Sequence, residues 1–89
     1  MPPSLAHLEA ELAKAEDHVT RGTALVRRQM RLVERLSADG HDTRLARQLL
    51  DTMIGVGRAM EGDVARIKQE IVEARAKGSS FAYTSPTAT

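Results

Sequence analysis

The 89-residue chain has no cysteine and no tryptophan, and its only aromatic residues are Phe81 and Tyr83. Without cysteine there is no disulfide framework, no thiolate metal site and no thiol nucleophile, a usage that fits a reducing compartment. Without aromatic bulk, a core has to be assembled from Leu, Val, Ile, Met and Ala in thin layers, which suits helices. The three prolines, Pro2, Pro3 and Pro86, lie at the two ends of the chain. No stretch approaches the roughly 18 uninterrupted apolar residues of a membrane span. The opening Met1-Pro2-Pro3-Ser4 lacks the basic and apolar regions of a secretory signal, and the expected location is the cytoplasm. Charge of one sign is also lacking: thirteen Lys and Arg against twelve Asp and Glu leave +1, far from the basicity of a nucleic-acid-binding domain.

What is present is helical periodicity. With Leu5 as heptad position a, Leu12, Val19, Val26 and Val33 follow at intervals of seven, and Leu8, Ala15, Gly22, Gln29 and Leu36 occupy position d. A second pair of series runs through Ala46, Met53, Met60, Ile67 and Ala74, and through Leu50, Gly57, Val64 and Ile71. Between the two lies Asp39-Gly40-His41-Asp42-Thr43. There Gly40 can close one helix in the left-handed conformation, and Asp42 or Thr43 can cap the next. So short a connection makes the helices antiparallel neighbours. The pattern therefore predicts one all-α domain, an antiparallel, coiled-coil-like two-helix hairpin over residues 5–77. Its parts are a cap segment 1–4 with Ser4 as N-cap, a helix 5–38, a turn 39–43 and a helix 44–77. Gly78-Ser79-Ser80 reads as a stop, and residues 78–89 as a flexible tail that Phe81 and Tyr83 could anchor.

Two helices of about 34 residues make a rod on the order of 50 Å long, which is mostly surface. One seam buries too little to offset the entropy of ordering some 70 residues, so the hairpin is expected to dimerise into a four-helix bundle. Extra apolar residues mark where: Leu25 and Leu32 on one side of the seam and Met30 on the other in the first helix, and Leu45, Leu49, Ile54 and Val56 on the second, widen the apolar face near the turn. These seven form the expected dimer surface. Gly22, Gly55, Gly57 and Gly62 each cost about 1 kcal/mol inside a helix, a cost that close helix approach would offset, with Gly22 near Met60 and Gly57 near Val26.

The residues for chemistry are sparse. His7 and His18 are about 16 Å apart along a helix and cannot share an ion, and no His-x-x-x-His or Glu-x-x-His spacing occurs, so no metal or cofactor is expected. There is no nucleophile turn and no phosphate-binding glycine loop. A helical enzyme holding a carboxylated substrate on buried arginines would need Arg in the seam, whose one strongly polar residue is Gln29, a residue type that fixes register. A non-catalytic role is the better reading, and a small-molecule substrate is not indicated.

Charge is unevenly placed. Residues 21–58 carry eight arginines against Glu34, Asp39, Asp42 and Asp51, whereas the two ends carry five bases against eight acids. The hairpin should be basic toward the turn, at Arg27, Arg28, Arg31, Arg35, Arg44 and Arg47, and acidic toward its free ends. Arg27, Arg31 and Arg35 repel one another at i, i+4 spacing, and Arg44 and Arg47 oppose the dipole of the second helix. Three uses compete. The arginines form a solvated face, or they meet an acidic protein surface, such as the acidic end of a second hairpin in a staggered or antiparallel dimer, or they track the phosphates of a nucleic acid. The last has against it the missing third helix, the absence of stacking aromatics on the helices and the small net charge. The function expected is a self-associating interaction module, an adaptor or regulator, that presents the arginine face to a protein partner.

The run His18-Val19, Arg27-Arg28-Gln29, Val33-Glu34-Arg35-Leu36, the turn Asp39-Gly40-His41-Asp42-Thr43, Ala46 and Leu49-Leu50 resembles a group of short bacterial helical-hairpin proteins of unknown function. The likeness spans His7 to Val72, and the turn pentapeptide is its most specific element. It implies a hairpin and a bacterial cytoplasm and assigns no site residue. Gly55-Val56-Gly57 departs from the polar helix formers more usual there.

Overall fold

A computed structural model describes residues 3–87, with side chains described through Gly78. Two helices form, α1 (Leu5–Ala38) and α2 (Arg44–Thr87), and they pack as a hairpin. Ser4 begins α1 in extended conformation, its hydroxyl accepting a hydrogen bond from the backbone N–H of His7 at 3.1 Å. The other end closes as a Schellman motif. The Gly40 N–H donates to the Ser37 carbonyl at 3.1 Å and the His41 N–H to the Leu36 carbonyl at 2.9 Å, with Gly40 at φ 76°. Asp42 then accepts from the Arg44 N–H at 3.0 Å and starts α2.

The core is the seam anticipated from the heptads. Leu8, Val33, Ile67, Ile71 and Gln29 are buried, and the remaining seam residues are half-buried except Leu5, which is exposed at the open end. Leu8, Ile67 and Ile71 pack as a cluster supported by Leu12, Ala15 and Ala74. Gln29 donates from Nε2 to the Ala46 carbonyl at 3.0 Å, so the seam's one strong polar side chain is satisfied across the hairpin and ties α1 to the first turn of α2. Shifting either helix along the other would break that bond, which is how a buried amide specifies register.

Two expectations are corrected. The second helix does not stop at Lys77: its backbone is helical to Thr87, through Gly78, Ser79 and Ser80. A glycine ends a helix only when it takes the left-handed conformation. Among the described residues Gly40 alone does so, while Gly78 remains helical at a modest propensity cost. Ala88 and Thr89, and the side chains of Phe81 and Tyr83, lie outside the described residues.

The second correction concerns the glycines. A Cβ added at Gly55, Gly57 or Gly62 would meet nothing within 4 Å, and one at Gly22 would meet only the Met60 sulfur, at an ordinary 3.7 Å. Gly22 does sit beside Met60, but the four glycines are not forced by tight helix approach. The register that packs Leu8 on Ile71 instead sets Gly22 level with Gly57, and both line shallow grooves on either side of the hairpin. Side chains are missing from both strands of the seam at one height, which leaves a thin waist.

Gly55→Ala, on the exposed face, should therefore raise stability by about 1 kcal/mol. Gly40→Ala, forced to keep φ positive, should lower it by about 1 kcal/mol. Paired urea melts measure both, and a loss from Gly55→Ala would mean that α2 is not an unobstructed helix at Gly55.

Candidate interaction surface

All six arginines expected on the basic face, Arg27, Arg28, Arg31, Arg35, Arg44 and Arg47, are exposed, as is Arg58. Two of them are engaged at the turn. Arg44 binds the Asp42 carboxylate in a bidentate arrangement, Nη2 to Oδ2 at 2.7 Å and Nε at 3.0 Å, and the Arg47 Nε donates to the Thr43 hydroxyl at 2.9 Å. The turn thus orients both side chains that oppose the α2 dipole, which limits the repulsion expected there. Asp42 is held below the usual carboxylate range, first by the Arg44 guanidinium and then by the Arg44 backbone N–H.

Toward the open end, bases and acids pair. Arg21 meets Asp17 at 3.0 Å, Arg66 meets Glu70 at 3.1 Å and Asp63 at 3.6 Å, and His7 lies 3.2 Å from Glu11. Arg75 reaches across the hairpin to Glu9 at 3.2 Å. Among the described residues no ion pair includes Arg27, Arg28, Arg31, Arg35 or Arg58. These five stand on the turn-proximal half with no carboxylate within 4 Å.

The seven residues expected at the dimer surface do not form one face. Extending the heptad lettering, Leu25, Leu32, Leu49 and Val56 occupy position g, and Leu45 occupies c beside them. In antiparallel helices the g positions of both line the same side, as the groove shared by Glu11 and His18 of α1 with Asp63 of α2 shows, and Val56 lines a groove with Gly22, Thr52, Met53, Gly57 and Met60. Met30 and Ile54 occupy position e and line a groove on the opposite side with Val26. Exposure agrees with the division. Leu45 is 81% exposed, Leu49 52%, Leu25 50%, Val56 49% and Leu32 38% on the one side; on the other Ile54 is half-buried and Met30, 45% exposed, is the one exposed member. On α1 the split is as expected, Leu25 and Leu32 on one side and Met30 on the other; what the pattern left open is the side taken by Leu45, Leu49, Ile54 and Val56 on α2. Separating e from g requires the chain direction of both helices. The same pattern did not single out Val72, 57% exposed near the open end, and no periodic signal marks it.

Arg21, Arg28 and Arg35 all occupy position c on α1 and so border the Leu25 side, while Arg27 borders the other side and Arg31 points away from the seam. Since Arg28 and Arg58 face solvent, this hairpin has no arginine-lined interior for a carboxylated substrate. Among the described residues no three of His, Asp and Glu converge as metal ligands, and His7 and His18 line an open, mixed-charge groove with Glu11, Lys14, Asp63 and Arg66. Among the described residues no helix is long and apolar enough to cross a membrane. Comparison with family models, curated proteins and solved structures returned no match to the chain.

The Asp42 clasp has a measurable signature. Because its folded pKa is depressed, its stabilising contribution is present above the ordinary carboxylate range near about 3.9 and is lost as pH falls through the lower folded value. A carboxyl NMR titration should place the Asp42 midpoint below that of free aspartate. Arg44→Ala, which removes the guanidinium and keeps the backbone donor, should move it most of the way back. An unmoved midpoint would show that the side-chain bond does not persist in solution.

Proposed function

We propose that the chain is a non-catalytic interaction module of the cytoplasm. In this reading the hairpin self-associates into a four-helix bundle and holds the arginines of its turn-proximal half out to an acidic surface on a protein partner, as an adaptor or regulator does. The observation that carries the proposal is the segregation of charge. The half nearest the turn carries eight arginines against four acids, and five of them stand without a carboxylate within 4 Å; toward the open end acids outnumber bases eight to five, and Arg66 and Arg75 each have a carboxylate partner. Uncompensated arginines are costly to leave adjacent and are well suited to carboxylates presented in planar, bidentate geometry. Exposed aliphatic residues on the same half add the apolar component that an interface core requires.

Nucleic acid is the competing polyanion, and net charge and composition disfavour it. Arg27, Arg31 and Arg35 do follow one stripe, but the net charge is only +1 and no aromatic side chain on the described surface is available for base stacking. The reading is tested by charge reversal at Arg27, Arg31 and Arg35 together, with helicity checked by circular dichroism. Chemical cross-linking should join the unaltered chain, but not the variant, to Asp- or Glu-rich segments of a captured protein. Retention of the same cross-links by the variant would remove the arginine face from the account. A low-salt gel shift of a duplex by the unaltered chain, lost in the variant, would replace protein with nucleic acid.

A further inference from the structure

The apolar strip of Leu25, Leu32, Leu45, Leu49 and Val56 lies on one side of the hairpin, bordered along its α1 edge by Arg21, Arg28 and Arg35 and along its α2 edge by the uncharged Leu45, Thr52 and Ala59. We infer that this strip takes a second copy of the chain in one orientation: the two hairpins pack with their turns at the same end, related by a two-fold axis along the rod, so that α1 of each lies on α2 of the other. The inference rests on the self-association in the proposed function and specifies its geometry.

Two symmetric ways of facing these strips exist, and three observations bear on the choice. A two-fold axis across the rod would set α1 on α1, with Arg28 abutting its own counterpart and Arg21 abutting Arg35. Rows of like charge would border the contact with no carboxylate between them. An axis along the rod brings the same arginine row against Thr52, Ala59 and Leu45 of the partner subunit, which carry no charge.

Charge toward the open end is mixed in this arrangement. With α1 on α2 of the other copy, His7 and Lys14 come level with Glu73, Glu70 and Asp63 of the partner subunit, while Glu11, which holds His7 at 3.2 Å, faces the same carboxylates, and two acidic ends lie side by side.

The third observation is area. The hairpin is 19 Å broad, and with turns together the rods overlap along all of α1, giving on the order of 900 Å² per copy, against the roughly 800 Å² typical of a stable interface. Centring the strips with the turns opposed leaves an overlap of about 35 Å, and about 650 Å². In the favoured arrangement Leu25 of the partner subunit stands level with Val56, beside the groove where Gly22 and Gly57 leave room.

The absence of cysteine makes the test direct. A nitroxide is attached at Ala10→Cys, an exposed position on α1, in the full chain, and dipolar distances are read alongside the mass by light scattering. Turns together predict a dimer with a distance below about 30 Å, whereas turns opposed predict a dimer with one beyond about 50 Å, which overturns the orientation alone. A monomeric mass with no dipolar signal overturns the self-association on which the inference stands. Leu25→Glu with Leu49→Glu should abolish both signals while helicity persists, and Met30→Glu, on the other side, should leave them intact. The reverse pattern places the contact on the wrong face and overturns the proposal as well.

Discussion

Everything in this hairpin depends on the narrowness of its seam. Two antiparallel helices of aliphatic residues bury four hydrophobic side chains well, Leu8, Val33, Ile67 and Ile71, and no described side chain falls below 2% exposure. Burial of this extent supports the contact between the helices but leaves the rest of each helix in water. Large exposed aliphatic residues on one side of such a rod are a surplus that the fold of one copy does not consume. The proposed function and the proposed dimer are both readings of that surplus.

The polar residues compensate for what the narrow seam cannot do. A seam of Leu, Val, Ile, Met and Ala tolerates sliding, since one aliphatic layer packs nearly as well as the next. The bond from Gln29 to the Ala46 carbonyl and the reach of Arg75 to Glu9 act near opposite ends of the hairpin and agree on one register. The first is shielded from water and so carries most of the specification. The second, exposed on both sides, contributes little energy. At the turn, the Schellman motif of Gly40 and the Asp42 clasp fix the angle at which α2 departs.

Much of this was legible in the sequence. The heptad series named the seam almost residue by residue, because 3.6-residue periodicity depends only on local geometry, and the turn followed from Gly40 and the short polar stretch around it. The end of α2 was not legible. Gly78-Ser79-Ser80 carries stop chemistry, yet stopping depends on whether Gly78 turns left-handed, which composition does not decide. The surface was half legible: aliphatic excess near the turn is a matter of counting, but its division on α2 into a g side and an e side depends on helix direction and register together. The waist at Gly22 and Gly57 required a register accurate to one heptad layer, finer than counting from the turn provides.

That waist bears on why the sequence is built this way. A hairpin shaped for stability alone would fill the layer, since alanine at Gly57 meets no obstacle and glycine in a helix costs about 1 kcal/mol. Retaining two glycines at one height sacrifices both propensity and packing, and the space they leave opens directly beside Val56, on the apolar side. A projecting aliphatic side chain from another copy would recover the lost packing there, and would recover it only at one relative height of the two rods. Gln29 sets how one helix lies on the other within a copy. In the reading advanced here, the glycine layer sets how one copy lies on the next, and both devices trade stability of the isolated hairpin for uniqueness of arrangement.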